Sequence, residues 1–318
     1  MIQVGISSIG MSVPEKVLTN SDLERMVDTT DEWITTRTGI KERRIMETGE
    51  SMTGHVAQAA KRACAKADVD SSKLDFVISS TMSGDLICPA QAYEVARELG
   101  ANRAFCFDLN AACTGLIYSL AAAESFLKTR EITTGVVTAG EQLSKLTDYT
   151  DRNTCVLFGD AAAAMVLTNQ NPEHLLLYTE LGSEPDMSKE VIIGGVSDLT
   201  NNRLKDFYFR QNGKVVFKFA VNVIRDLLDL VPRKAGLKPE QIKYVVPHQA
   251  NQRIIMAAQE MVSSETKIIS NIEKYGNTSS ASIGLALAEN WNYFQKGDYI
   301  LLIGFGGGLS WGAALLEW

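Results

Sequence analysis

The chain has 318 residues, 45% of them hydrophobic and 22% charged, enough apolar side chain to bury one large core or two fused smaller ones. A net charge of −7 argues against general nucleic-acid binding, and five scattered cysteines with no C-x-x-C spacing argue against a disulfide framework or a zinc site. The opening M-I-Q-V-G-I-S-S-I-G has no basic segment before an apolar core, and the apolar runs break well short of the ~20 residues of a membrane span, so a cytoplasmic protein is expected.

In chain order, residues 2–9 alternate as a strand, and M-S-V-P-E-K-V-L-T-N-S-D-L-E supplies a turn with Asn20 or Ser21 placed to cap a helix. D-E-W-I-T-T-R-T-G-I-K-E-R-R then sets Trp33 in a charged loop near Arg37, where the pair either packs locally or stacks a flat ring and holds phosphates. Residues 53–67 have the spacing of an Ala-rich amphipathic helix that includes His55 and Cys64. Residues 74–80 read as a strand, M-S-G-D-L-I-C-P-A as a loop, and residues 91–99 as a second helix.

Residues 104–120, A-F-C-F-D-L-N-A-A-C-T-G-L-I-Y-S-L, read as a short apolar strand, a sharp turn and a helix, with Cys113 at the turn. Free amides and the positive end of a helix dipole favour thiolate over thiol at such a position. The small neighbours Ala111, Ala112, Thr114 and Gly115 leave a carbonyl room to reach both the sulfur and the backbone N–H groups. The stretch is equally compatible with a buried cysteine in an Ala-rich packing turn, and both readings stand at this level.

Residues 135–139 are a strand, E-Q-L-S-K-L-T-D-Y-T-D-R-N-T is a polar loop, and C-V-L-F-G-D-A-A-A-A-M-V-L reads as two apolar strands around a Gly-Asp turn. Residues 169–211, with Pro172, Pro185 and Gly194-Gly195, are expected to be an irregular connector. There follow a helix at 215–230, a strand and turn in I-K-Y-V-V-P-H-Q-A-N, and a helix at 253–261. The remainder reads as a short strand, a Gly-Asn turn and an Ala-rich helix, then two strands around F-G-G-G. Residues 171–318 repeat the element order of 1–170, so two similar α/β halves are expected to pack face to face. Equivalent strand ends then meet where Cys113, His248, Asn277 and the glycine turn converge.

Of the three histidines, His55, His174 and His248, only His248 lies at a strand-end turn with polar neighbours. Cysteine, histidine and asparagine together serve thiol proteolysis, where the histidine takes the thiol proton. They also serve thioester condensation, where histidine and asparagine hydrogen-bond a carbonyl that becomes an enolate.

Six motifs run end to end: D-E-W-I-T-T-R-T-G-I-K-E-R-R, N-A-A-C-T-G, D-R-N-T-C-V-L-F-G-D, V-V-P-H-Q-A-N-Q-R-I, Y-G-N-T-S-S-A-S and F-G-G-G-L-S-W-G-A. With them the chain resembles the β-ketoacyl-acyl-carrier-protein synthase III family, initiating condensing enzymes of bacterial fatty-acid synthesis in the thiolase-like superfamily. The resemblance implies a thiolase-like α/β fold, its two halves packed as a layered αβαβα sandwich, and it excludes the protease. It implies that Cys113 takes an acyl group from acyl-CoA and that malonyl-acyl-carrier-protein then replaces CoA. His248 and Asn277 match the residues that hold the malonyl thioester oxygen while CO2 leaves. The backbone N–H groups of Cys113 and Gly307 match the oxyanion hole. Trp33, Arg37, Arg152, Phe217, Ala250 and Asn251 match CoA contacts, Lys218 and Arg253 match carrier-docking residues, and Ile87 and Cys88 match the acyl pocket. A cytoplasmic homodimer is implied, with residues near Pro89 reaching the partner's pocket. No metal is implied, no cofactor beyond the CoA thioester used as substrate, and no nucleic-acid or membrane partner.

Departures from the family pattern carry expectations of their own. Cys88 stands where a bulky aromatic is frequent, which leaves room for a longer or branched primer. Gln259 and Glu260 stand where lysines are common, which weakens or shifts docking of an acidic carrier. The alanines of F-G-D-A-A-A-A replace customary glycines, a packing variation. The alternative reading is a related acyl-CoA-dependent enzyme of specialised metabolism. A thiolase is disfavoured because F-G-G-G-L-S-W-G has no second cysteine, and an elongating condensing enzyme because Asn277 stands where a second histidine belongs. A silent binding protein is disfavoured because all three catalytic side chains are present.

Overall fold

The computed structural model describes residues 2–185, 188–200 and 207–318. Its main sheet has ten strands: β1 Gly5–Ser12, β2 Phe76–Ser80, β3 Phe105–Leu109, β4 Thr134–Gln142, β5 Asp160–Thr168, β6 His174–Ser183, β7 Ile242–Pro247, β8 Lys267–Ile268, β9 Tyr299–Gly306 and β10 Ser310–Glu317. The spatial order is β8-β7-β9-β10-β6-β1-β5-β4-β2-β3. Each half therefore contributes five strands in one order, β3-β2-β4-β5-β1 matching β8-β7-β9-β10-β6; in the sheet the halves pair at Gly5↔Leu175 and Ile6↔His174, and a separate bridge joins Phe158 to Asn277.

The main helices are α1 Met52–Lys66, α2 Gln91–Leu99, α3 Gly115–Thr129, α4 Gly213–Lys234, α5 Gln252–Gln259 and α6 Ala281–Glu289. Strand side chains alternate between faces with period two. Ile78, Val137, Ala163 and Met165 pack with Leu116, Ile117, Ile283 and Leu287, whereas Val77, Val136, Ala162 and Ala164 pack with Val56, Ala60 and Val95. In the second half Val246, Leu302 and Ala314 join the first of these clusters, while Val245, Leu301 and Ile303 pack on Ile224, Leu227 and Ile254. The layers are thus α1/α2, sheet, α3/α6, sheet, α4/α5, the αβαβα order expected. Strands covered on both faces must be apolar throughout, which explains A-A-A-A-M-V-L. Small residues set the spacing: a Cβ at Gly284 of α6 would lie 2.5 Å from Ala163 Cβ.

Several local expectations are corrected. Residues 155–157 are a turn and Phe158 a single bridge rather than a strand, because Cys155, Val156 and Phe158 are drawn into a separate cluster with Leu18, Leu23 and Ile34; the antiparallel partners of β5 are β4 and β1. The expected connector contains β6, a ten-residue strand that is the counterpart of β1. Only Leu176 of β6 is fully covered, so it lacks the apolar run of the other strands. Residues 186–187 and 201–206 of that connector lie outside the described residues. Glu141 and Gln142, expected to open a loop, extend β4. Trp33 lies on the helix Asp31–Thr38, capped by Thr30, and Thr19 rather than Asn20 or Ser21 caps the helix Asn20–Glu24.

Arg43 is fully buried and pins this part of the molecule together. Its guanidinium donates to Leu18 O, Asn20 Oδ1 and Val156 O, and burial lowers its pKa to about 10. Side chains added at Gly159 or Gly276 would meet its Cβ at 3.1 and 3.4 Å, so it fills the space between the two turns. Arg43→Ala strands three acceptors and is expected to lower unfolding stability by about 3 kcal/mol, read from urea denaturation.

Candidate active site

Cys113 sits on the single helical turn Ala112–Thr114 that leads into α3. Ala112 holds φ at +47°, a left-handed value that strains a non-glycine residue and turns the chain sharply after β3. Asn110 Oδ1 accepts a 3.2 Å bond from the Ala112 N–H and steadies that turn. The side chain is buried, and burial pushes the thiol up to about 11 against bonds from the Ser279 hydroxyl and the Cys113 and Gly307 amides. The helix entrance alone therefore does not yield a resting thiolate; the thiol must lose its proton as substrate arrives.

The glycine turn between β9 and β10 closes one side of the sulfur. A Cβ at Gly306 would lie 2.8 Å from Cys113 Cβ and 3.0 Å from its nitrogen, so only glycine allows this approach. Thr114 Oγ1 and Ser310 Oγ lie 2.8 Å apart, and Ser310 Oγ donates to Gly307 O at 3.0 Å, which stitches the two turns together. The backbone N–H groups of Cys113 and Gly307 both face the sulfur and favour its thiolate against burial.

The segment 277–282 brings the other two predicted residues to the same place. Ser279 Oγ is 3.4 Å from Cys113 Sγ, and the Ser279 N–H donates to Asn277 Oδ1 at 2.9 Å. That bond fixes the amide orientation and leaves Asn277 Nδ2 without an acceptor among the described residues. His248 follows β7; its Nδ1 is 2.7 Å from Ser282 Oγ, which already accepts the Gln249 N–H at 3.3 Å. With that lone pair occupied, we assign the tautomer in which the Ser282 hydroxyl donates to Nδ1 and the ring hydrogen sits on Nε2. Burial lowers the imidazole to about 3, so it is neutral across ordinary pH. Phe305, next to Gly306, packs its ring 5.2 Å from the imidazole. His248 and Asn277 are thus two neutral hydrogen-bond donors.

A cavity of about 420 Å³ opens at Cys113, lined by Met82, Asn110, Ala112, Val191, Phe209 and Gly307 among others. Val191 and Phe209 come from the expected connector; V-I-I and F-Y-F, apolar triplets in a polar stretch, are the sequence signal for them. Two further groups lie outside this cavity. The Arg37 and Arg152 guanidinium groups stand 5.5 and 5.1 Å from the Trp33 ring centre, and the Arg253 guanidinium 5.7 Å from that of Phe217. A flat ring between Trp33 and Arg152 needs about 7 Å, twice the carbon contact distance, so Arg152 must swing off Asp28, to which it donates at 3.0 Å. Asn251 caps α5 through its oxygen, leaving its NH2 as donor; Ala250 precedes it, and Lys218 and Arg253 are exposed. The two groups adjoin where Gly39 meets Gln252.

Ile87 and Cys88 are not brought to Cys113. Both stand on the surface of the 82–90 loop, Ile87 86% exposed, and neither lines this chain's cavity. Among the described residues no group of His, Cys, Asp or Glu is arranged to hold a metal, and no helix is long and apolar enough to cross a membrane.

The family model described as 3-oxoacyl-[acyl-carrier-protein] synthase III matches residues 107–185, and its C-terminal counterpart matches residues 233–318. The β-ketoacyl-[acyl-carrier-protein] synthase III of Symbiobacterium thermophilum is 43% identical over 99% of this chain and 98% of its own. The chain belongs to the β-ketoacyl-acyl-carrier-protein synthase III family. The crystal structure of that synthase from Aquifex aeolicus is 42% identical, covering 99% of this chain and all of its own, with a TM-score of 0.92. The priming β-ketosynthase of the R1128 polyketide pathway shares the fold at a TM-score of 0.92 but only 32% identity, covering 99% and 96%. As a synthase III the chain is an acyltransferase, an initiating condensing enzyme of fatty-acid synthesis, and the specialised-metabolism alternative is not favoured.

Proposed function

We propose that Cys113 accepts an acyl group from acyl-CoA and passes it to malonyl-acyl-carrier-protein in a decarboxylative Claisen condensation, with His248 and Asn277 as donors to the malonyl thioester oxygen. The observation that carries this reading is the segment 277–282, which carries Asn277, reaches the Cys113 sulfur through Ser279 and holds the His248 ring through Ser282. In acylation the sulfur attacks the thioester carbonyl while the Cys113 and Gly307 amides hold the developing oxyanion. After CoA leaves, the His248 Nε2–H and Asn277 Nδ2–H stabilise the enolate formed as CO2 departs, and its carbon attacks the acyl-enzyme. Two neutral donors suit this step: an imidazolium would give up a proton to the enolate and quench it.

CoA fits across the two outer groups, with Trp33, Arg37 and Arg152 about the adenine and phosphates and Phe217, Ala250 and Asn251 along pantetheine. Lys218 and Arg253 then present cations to an acidic carrier. The exposure of Ile87 and Cys88 supports a homodimer in which this loop lines the partner's acyl pocket; the enzyme is read as cytoplasmic by its family likeness, with halves dividing at residues 1–170 and 171–318. A cysteine at position 88 leaves that pocket deep. With malonyl-carrier present, four-carbon and longer or branched acyl-CoA primers are expected to turn over at rates comparable to acetyl-CoA or better; turnover of acetyl-CoA alone refutes the deep pocket.

A further inference from the structure

Glu141, in β4, is fully buried and has no part in the steps above. No cation pairs with it among the described residues. Its Oε2 accepts from the Ser83 hydroxyl at 2.5 Å and the Met82 N–H at 3.2 Å, and its Oε1 from the hydroxyls of Ser280 at 2.8 Å and Ser279 at 3.5 Å. The same Ser279 oxygen is 3.4 Å from Cys113 Sγ. One hydroxyl, with one hydrogen, therefore stands between the nucleophilic sulfur and a buried carboxyl group.

We propose that Glu141 is the proton store of the catalytic cycle, taking the Cys113 thiol proton through Ser279 during acylation and returning it to the sulfur after condensation. The inference rests on the acyl-transfer reading and adds where the proton goes. As the sulfur forms its bond to the acyl carbon, the S–H proton moves to Ser279 Oγ and the Ser279 hydrogen moves to Glu141 Oε1. The bond from the acyl carbon to CoA breaks, and CoA leaves as a thiolate that takes a proton from solvent. In the second step the malonyl C–C bond to the carboxylate breaks, its electron pair forms the new C–C bond, and the Cys113 thiolate is expelled. Glu141 then sends its proton back. One solvent proton is consumed per turnover, and it ends on CoA.

The surroundings suit this assignment and not His248. The imidazole already carries its hydrogen on Nε2 and is held low by burial, so it donates and does not accept. Burial raises the Glu141 carboxyl to about 7 in spite of its donors, so near neutrality it exchanges a proton freely. Other titratable groups are turned elsewhere. Asp85 bonds the Gln142 amide and the Met52 and Thr53 amides; Asp160 on β5 bonds Ser144 and the Met46 amide. Cys113 is the titratable group on the far side of Ser279.

The test compares Glu141→Gln with the wild-type full-length enzyme in two partial reactions. Rapid-quench mass spectrometry with acetyl-CoA and butyryl-CoA in parallel reads acylation, and CO2 release from malonyl-CoA reads decarboxylation, which needs His248 and Asn277 but no thiol proton. Wild-type acylation is expected to rise as pH climbs through about 7. In Glu141→Gln acylation at neutral pH falls ~10²-fold and that inflection disappears, while CO2 release changes less than about twofold. Ser279→Ala, which keeps the backbone bond to Asn277, gives the same split and carries the test if the glutamine variant does not fold. Parallel loss of both reactions means that Glu141 only braces the 277–280 turn, and either that result or a pH profile unchanged from wild type overturns the proposal. Absence of any acyl-enzyme in the wild type overturns the acyl-transfer reading instead.

Discussion

Cys113→Ala is expected to reduce β-ketoacyl product formation at least ~10⁴-fold, because no other group can carry the acyl chain between the two substrates. The substitution removes only Sγ. Alanine keeps the Cβ that packs against Gly306, so the fold and the glycine turn stay in place and the thermal midpoint is expected to hold. Losing a buried thiol also removes a group whose ionisation burial opposes. Release of CO2 from malonyl thioester persists, since its donors lie on His248 and Asn277. Product assays alongside CO2 assays separate the two steps, and loss of both would place the sulfur in the decarboxylation machinery too.

His248→Ala and Asn277→Ala are each expected to lower condensation by ~10²- to 10³-fold while acyl-enzyme formation stays within about threefold of wild type. The asymmetry follows from position. In the proposed mechanism acylation uses the amides of Cys113 and Gly307, whereas the enolate oxygen is held by His248 and Asn277, which are anchored to Ser282 and Ser279. His248→Ala additionally opens a void beside Phe305 and strands the Ser282 hydroxyl. The imidazole's pKa is lowered, so it stays uncharged as pH falls through 6.5, and only near pH 3 does it take a proton. Decarboxylation by the wild type should accordingly show no inflection at the usual histidine pKa. Single-turnover acylation and CO2 release, measured from pH 5 to 9, check both statements.

The parts of the site that sequence discloses are those whose chemistry is local. Cys113 announces itself because an aromatic strand, a run of small residues and a helix follow one another within seventeen positions of a continuous stretch. His248 stands out as the histidine at a strand end, and Asn277 through its Gly-Asn turn. Pattern reading fails where the determinant is distant. β6 is a strand because β1 and β10 lie on either side of it, yet most of its side chains are half-covered and show no clean alternation. Glu141 looks like the start of a polar loop; its burial depends on serines 83, 279 and 280 arriving from other parts of the chain. Ile87 and Cys88 match an acyl pocket by family likeness, yet both stand on the surface away from the cavity at Cys113, a placement the local sequence does not disclose. Trp33 and Arg152 are far apart in sequence, and the guanidinium's place over the ring is visible only once the fold joins them.

The most direct test of the account is intact-mass and peptide-mass analysis of the full-length protein after incubation with acyl-CoA and then with malonyl-acyl-carrier-protein. The account predicts a mass gain of one acyl group, mapped to the peptide that carries Cys113, which disappears on addition of the malonyl carrier as CO2 and the extended carrier form. An adduct on Cys64, Cys88, Cys106 or Cys155 instead, or an acyl group on Cys113 that the malonyl carrier never removes, would contradict it.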